Sequence, residues 1–106
     1  MNGYQLTFFT VQQRVQGGKP LAEWLVETAR VLGVRGATVV AGVQGLSHDG
    51  GVHALTLFDQ ADQPVQVTMV VTPEEVDLFF AALGALEKPV FYLKAPVEFG
   101  FVGKGA

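Results

Sequence analysis

Apolar residues along this chain follow two rhythms. In YQLTFFTV (residues 4–11) Tyr4, Leu6 and Phe8 recur at every second position, and in PVQVTMVV (64–71) Val65, Val67, Met69 and Val71 do the same. A period of two places such residues on one face of a strand. LAEWLVETARVL, after Pro20, is instead built of good helix formers, and Gly33 ends it. In the second helical stretch, Val76, Phe79, Phe80 and Leu83 form a core-facing stripe that runs until Pro89 stops it. Thr72-Pro73-Glu74-Glu75 predicts a capping box, with Thr72 as cap and Glu75 reaching back to its main chain. GATVVAGVQG (36–45) predicts a strand weakened at Gly42 and Gly45, and VFYL after Pro89 a last main strand. VHALTLF (52–58) and a tail alternating Val97, Phe99 and Phe101 predict two short extra strands.

The order β-α-β-(β)-β-α-β has no repeat and no internal linker, and 106 residues make one small unit, 1–106. The economical architecture is an α+β, ferredoxin-like βαββαβ sandwich: an antiparallel sheet with two helices on one face and extra short strands in the 46–63 loop and the C-terminal tail. The helix-free face would then show Gln5, Thr7, Phe9, Thr38, Val40, Gln66, Thr68 and Val70. None is charged, although an open antiparallel face normally meets water. Uncharged amides and hydroxyls mixed with apolar groups suit a surface packed against another protein. The first helix also spreads Ala22, Trp24, Val26 and Val31 beyond one face. Self-association is the expectation.

Composition agrees. Hydrophobic residues make up 49% and charged residues only 16%, well under the usual quarter or so. The net charge is −3, and the seven bases are scattered, so no stripe exists for nucleic acid. Cysteine is absent, which excludes disulfides, thiolate metal sites and a cysteine nucleophile. No apolar run approaches the roughly 20 residues that span a bilayer, and the N-terminus lacks a signal-peptide pattern. A soluble, cytoplasmic protein without direct membrane insertion is expected.

Candidate chemistry concentrates in GLSHDGGVH (45–53), which holds the only serine and both histidines. Ser47, His48 and Asp49 are the residue types of a hydrolytic triad, but consecutive side chains diverge, and the G-x-S-x-G elbow is missing. An enzyme is not expected. His48, Asp49 and His53 could ligate a metal, although their spacing matches no standard zinc pattern. Gly42, Gly45, Gly50 and Gly51 let a ligand approach the main chain closely, or simply make a turn. QGGK before the first helix reads as a turn, since no phosphate-loop G-K-[ST] follows.

Several strings carry a family likeness. Gly18-Lys19-Pro20-Leu21-Ala22-Glu23, then Gly36-Ala37-Thr38-Val39, the Gly42–Gly45 segment and Val52-His53-Ala54 resemble, in that order, the PII-like family called domain of unknown function 190. The resemblance runs from about residue 3 to 94 and implies a ferredoxin-like subunit of a homotrimer, with three sheets packed around the axis. PII proteins bind adenine nucleotides between subunits and signal through a long loop after the second strand, which here would be residues 46–63. The likeness implies an effector, an adenine nucleotide foremost, contacting Gly42, Gln44, Gly45, Ser47, His53 and Lys88. It also implies a regulated partner of the membrane transporter or ion channel class. Two departures stand out: Ala41 replaces the family's usual arginine, and Gly84-Ala85-Leu86-Glu87-Lys88-Pro89 offers only Lys88 where PII proteins have a basic phosphate-binding loop. The alternatives are a divalent-metal-binding trimer like the CutA proteins, which share the fold, and a structural oligomer without ligand.

Overall fold

A computed structural model describes residues 1–42, 44–46, 52–54 and 63–105, with 44–46 and 52–54 described by their backbone. Strand β1 (Asn2–Val11) leads into a small hairpin, β2 (Val15–Gln16) and β3 (Lys19–Pro20), and then helix α1 (Leu21–Val31). Next come β4 (Ala37–Ala41), β5 (Gln44–Leu46), β6 (Val52–Ala54), β7 (Pro64–Val71), α2 (Pro73–Ala82) with a closing 3-10 turn at Leu83–Ala85, and β8 (Phe91–Glu98). The main sheet runs β4-β7-β1-β8, antiparallel throughout. This is the α+β ferredoxin-like sandwich that the alternating pattern predicts.

The core follows from the period of two. Val65, Val67, Met69 and Val71 are all buried, as are Leu6 and Phe8 opposite them. Leu21, Leu25 and Ala29 from α1 and Val76 and Phe79 from α2 close over the same side. Phe8 and Phe79 meet with ring centroids 5.5 Å apart. Each fully buried side chain of this size contributes about 1.5–3 kcal/mol. The capping box forms as read: the Glu75 N–H donates to Thr72 Oγ1 at 3.2 Å, and the Thr72 N–H donates to Glu75 Oε1 at 2.8 Å.

Four local expectations are corrected. The strand expected over 36–45 breaks after Ala41, because Gly42 N–H donates to the Pro64 carbonyl at 2.7 Å and Pro64 has no N–H to return. The chain re-pairs beyond as the separate β5–β6 ribbon. The second helix ends at Ala82 rather than at Pro89. The tail makes no strand of its own, since residues 95–98 prolong β8 along β1 as far as Asn2↔Glu98. Pro96 is accommodated there because β8 lies at the sheet edge. With β8 so extended, and against the expectation that the main strands carry no charge, Lys94 and Glu98 stand in a main strand. Both take even positions of β8, on the helix side, and Lys94 Nζ lies 4.8 Å from the Tyr4 ring centroid.

Candidate functional site

Three of the six residues expected at an effector site share one ribbon. Gly45 lies directly across from His53, and Gln44 across from Ala54. Gly42 stands at the ribbon's root, where its bond to Pro64 fixes where β4 leaves the sheet. Ser47 lies outside the described residues, as do His48 and Asp49, so both the triad and the proposed metal set fall there. Among the described residues, no three His, Cys, Asp or Glu side chains gather as a metal site.

Lys88 sits apart from the ribbon, exposed, in the segment between the 3-10 turn and β8. Its carbonyl accepts from Arg14 Nη2 at 2.6 Å. The main chain before it is held at two points by Gln16, which is only 8% exposed. Gln16 Nε2 donates to the Ala85 carbonyl at 2.9 Å, and its Oε1 accepts from the Glu87 N–H at 3.1 Å. Partial burial holds the Arg14 pKa below its ordinary value. Neither Arg14 nor Gln16 is among the residues expected at the effector site. The available signal was Gly17-Gly18, whose φ values of 59° and 79° make the two-residue turn of the β2–β3 hairpin.

The helix-free face is ordered in rows by the strand register. Val40, Gln66, Phe9 and Phe91 form one row across the four strands, and Thr38, Thr68, Thr7 and Leu93 the next. Thr7 and Thr68 hydroxyls are 3.1 Å apart, and Gln5 Nε2 donates to Thr7 Oγ1 at 3.3 Å. Thr7 is buried by its neighbours, Thr68 is half-buried and Thr38 is exposed. Around these polar groups, Phe91 is 75% exposed, Val40 53% and Leu93 47% in the single chain. The β8 residues on this side, Phe91, Leu93, Ala95 and Val97, add no charge.

A further open cleft of about 380 Å³ lies at the opposite sheet end from Gly42. Arg35, Thr38, Thr68, Thr72, Glu75 and Phe99 contribute to its walls. The Arg35 guanidinium carbon lies 5.0 Å from the Phe101 ring centroid, so the tail shields one side of that cation. Among the described residues, no helix is long and apolar enough to cross a membrane.

The family model for domain of unknown function 190, described as an uncharacterized ACR, matches residues 3–98. The chain belongs to this family. No curated protein matches the domain of unknown function 190 chain described here. Its fold is shared with a candidate PII-like signaling protein from Thermus thermophilus, at 17% identity and TM-score 0.66, over 91% of this chain and 87% of that one. It is also shared with CPII from Thiomonas intermedia K12 bound to ADP and bicarbonate, at 20% identity and TM-score 0.59, covering 92% and 89%. A second CPII structure, bound to ADP, AMP and bicarbonate, gives 19% identity and the same TM-score of 0.59, with coverages of 92% and 89%. This family member is therefore PII-like in fold.

Proposed function

We propose that the chain is the subunit of a homotrimeric, PII-like regulatory protein of the cytoplasm and not an enzyme. A small effector, an adenine nucleotide foremost, binds between subunits against Gly42, Gln44, Gly45, Ser47, His53 and Lys88. Binding changes the 46–63 segment, which engages or releases a partner of the transporter or ion channel class. One observation carries the assembly: a four-stranded face without a single charge, on which Val40, Val70, Phe91 and Leu93 are exposed in the isolated chain. Such an apolar surface favours covering by a sister chain. The adenine class is supported by the CPII structures of the same fold, which hold ADP. Lys88 supplies the positive charge that a phosphate needs, and the Gly45 main chain opposite His53 allows close approach.

Size measurement joined to a thermal-shift series tests this reading. The expected mass is three times 11.3 kDa. ADP at about a hundred times its dissociation constant should raise the melting temperature by roughly 10 °C. A single-chain mass refutes the trimer. A melting temperature indifferent to ADP, AMP and ATP but raised by a divalent ion favours the metal-binding alternative, and indifference to all of them the structural oligomer.

A further inference from the structure

Two hydrogen-bonded junctions meet on residues 12–16, the link between β1 and the β2–β3 hairpin. At one end, the Gln12 N–H donates to the Gln63 carbonyl at 2.9 Å, and the adjacent Pro64 carbonyl accepts from Gly42 N–H at 2.7 Å. The link is thereby tied directly to one root of the 43–63 segment, at Gln63, and through the adjacent Pro64 to the other, at Gly42. At the other end, Gln16 grips Ala85 and Glu87 with the two ends of its amide, and Arg14 Nη2 holds the Lys88 carbonyl. Between the junctions the chain is short and braced. Gln12 and Gln16 are four residue steps apart, at most about 14 Å even when extended. The Arg14 N–H closes a turn onto the Val11 carbonyl at 3.2 Å, and the Arg14 carbonyl accepts from Leu21 N–H at 2.8 Å.

We propose that Gln16 is a positioning residue for Lys88, and that the 12–16 link couples the 85–88 segment to the roots of the 43–63 segment. The proposal rests on the effector reading for what the coupling serves, and it names how an anion at Lys88 reaches the partner-facing part of the chain. The physics is local. Gln16 is buried with both amide ends occupied, so a shift of the 85–88 main chain must either carry Gln16 with it or strand a buried donor and acceptor. Moving Gln16 displaces the braced link, and the Gln12 and Gly42 bonds are the next to loosen.

Amide hydrogen exchange on the full chain, comparing wild type with Gln16→Leu, decides the point. Exchange at Glu87 should accelerate about tenfold or more, because its partner is removed. Gln12 and Gly42, which do not bond to Gln16, should accelerate as well, while Leu6 and Val67 in the sheet centre keep their rates. Acceleration confined to Glu87, or equal at Gly42 and Leu6, overturns the coupling. Should Gln16→Leu fail to fold, Arg14→Met, which removes one bond at a partly exposed side chain, is read at Gln12 and Gly42 by the same criterion. Saturating ADP adds a second arm. It should slow exchange at Gln12, which lies outside the effector contacts, in wild type and not in the variant, and equal protection in both overturns the coupling. If ADP binds neither protein, the effector reading fails, while the ligand-free comparison still decides whether Gln16 couples the two segments.

Discussion

Gly3→Ala tests the closest approach in the sheet. An ideal Cβ at Gly3 would stand 2.2 Å from the Val71 carbonyl oxygen and 3.2 Å from its carbon, with the Phe99 ring edge at 2.8 Å. The ring can swing aside, but the Val71 carbonyl is main chain and cannot move without β7. An ordinary C···O contact is roughly 3.3 Å, so β1 and β7 must part locally by about 1 Å. That takes the hydrogen bonds at this end of β1 beyond about 3.5 Å, where they cease to count. Losing two such bonds at about 1 kcal/mol each, with about 1–2 kcal/mol of crowding, outweighs the ~0.4–1 kcal/mol gained from a stiffer unfolded chain. The net cost is about 2–3 kcal/mol, which for 106 residues lowers the melting temperature by about 10 °C. Gly84→Ala is the control: nothing lies within 4 Å of its Cβ and its φ is not in the left-handed region, so its melting temperature should hold or rise slightly. Scanning calorimetry at one fixed protein concentration reads both. A Gly3→Ala protein that melts within about 2 °C of wild type refutes the reasoning, since no clash of this size could then operate.

Three further outcomes follow from the same structure. Leu93→Lys puts a charge on the uncharged face at a half-exposed position, and if this face carries the proposed assembly, light scattering should then give the 11.3 kDa single chain with an unchanged circular dichroism spectrum; a mass unchanged from wild type would remove this face from the proposed assembly. Thr72→Ala deletes the α2 cap and should cost about 1–2 kcal/mol in urea unfolding, and an unchanged midpoint would mean that the capping bonds add nothing. Glu27 has its pKa lowered, first by the hydrogen bond from Arg30 and then by its charge; the small contribution of this exposed pair is present above the ordinary glutamate range and fades as pH falls through the lowered folded value. In Arg30→Gln the Glu27 carboxyl resonance should titrate at higher pH than in wild type, and an unmoved midpoint would dismiss the pair.

What the sequence discloses is what is local. Val65 to Val71 alternate because the chain's own helices cover β7 on one side only, and Thr72 to Glu75 spell a cap whose bonds span three residues. The uncharged face is equally readable, since register puts Thr38, Thr68 and Thr7 in one row once the strands are placed. Features that depend on distant partners escape such reading. Pro96 looks like a terminator until β8 is known to be an edge strand, and Gln16 looks like one polar residue among many until its amide meets Ala85 and Glu87 some 70 positions later. The candidate site divides the same way. Gly45 opposite His53 follows from a short ribbon, whereas Arg14 beside Lys88 follows from the tertiary fold alone.

The strand order also dictates a timetable. β1 is made before either of its neighbours in the sheet, β7 and β8, which follow only after α1 and β4 to β6. At ribosomal rates of about 5–20 residues per second, YQLTFFTV waits on the order of several seconds without a partner. Pairings so remote in sequence also close slowly, on a millisecond-to-second scale. Nascent chains of this protein therefore carry a sticky aromatic ribbon until β7 has been made, and their yield should depend on the chaperones that shelter it.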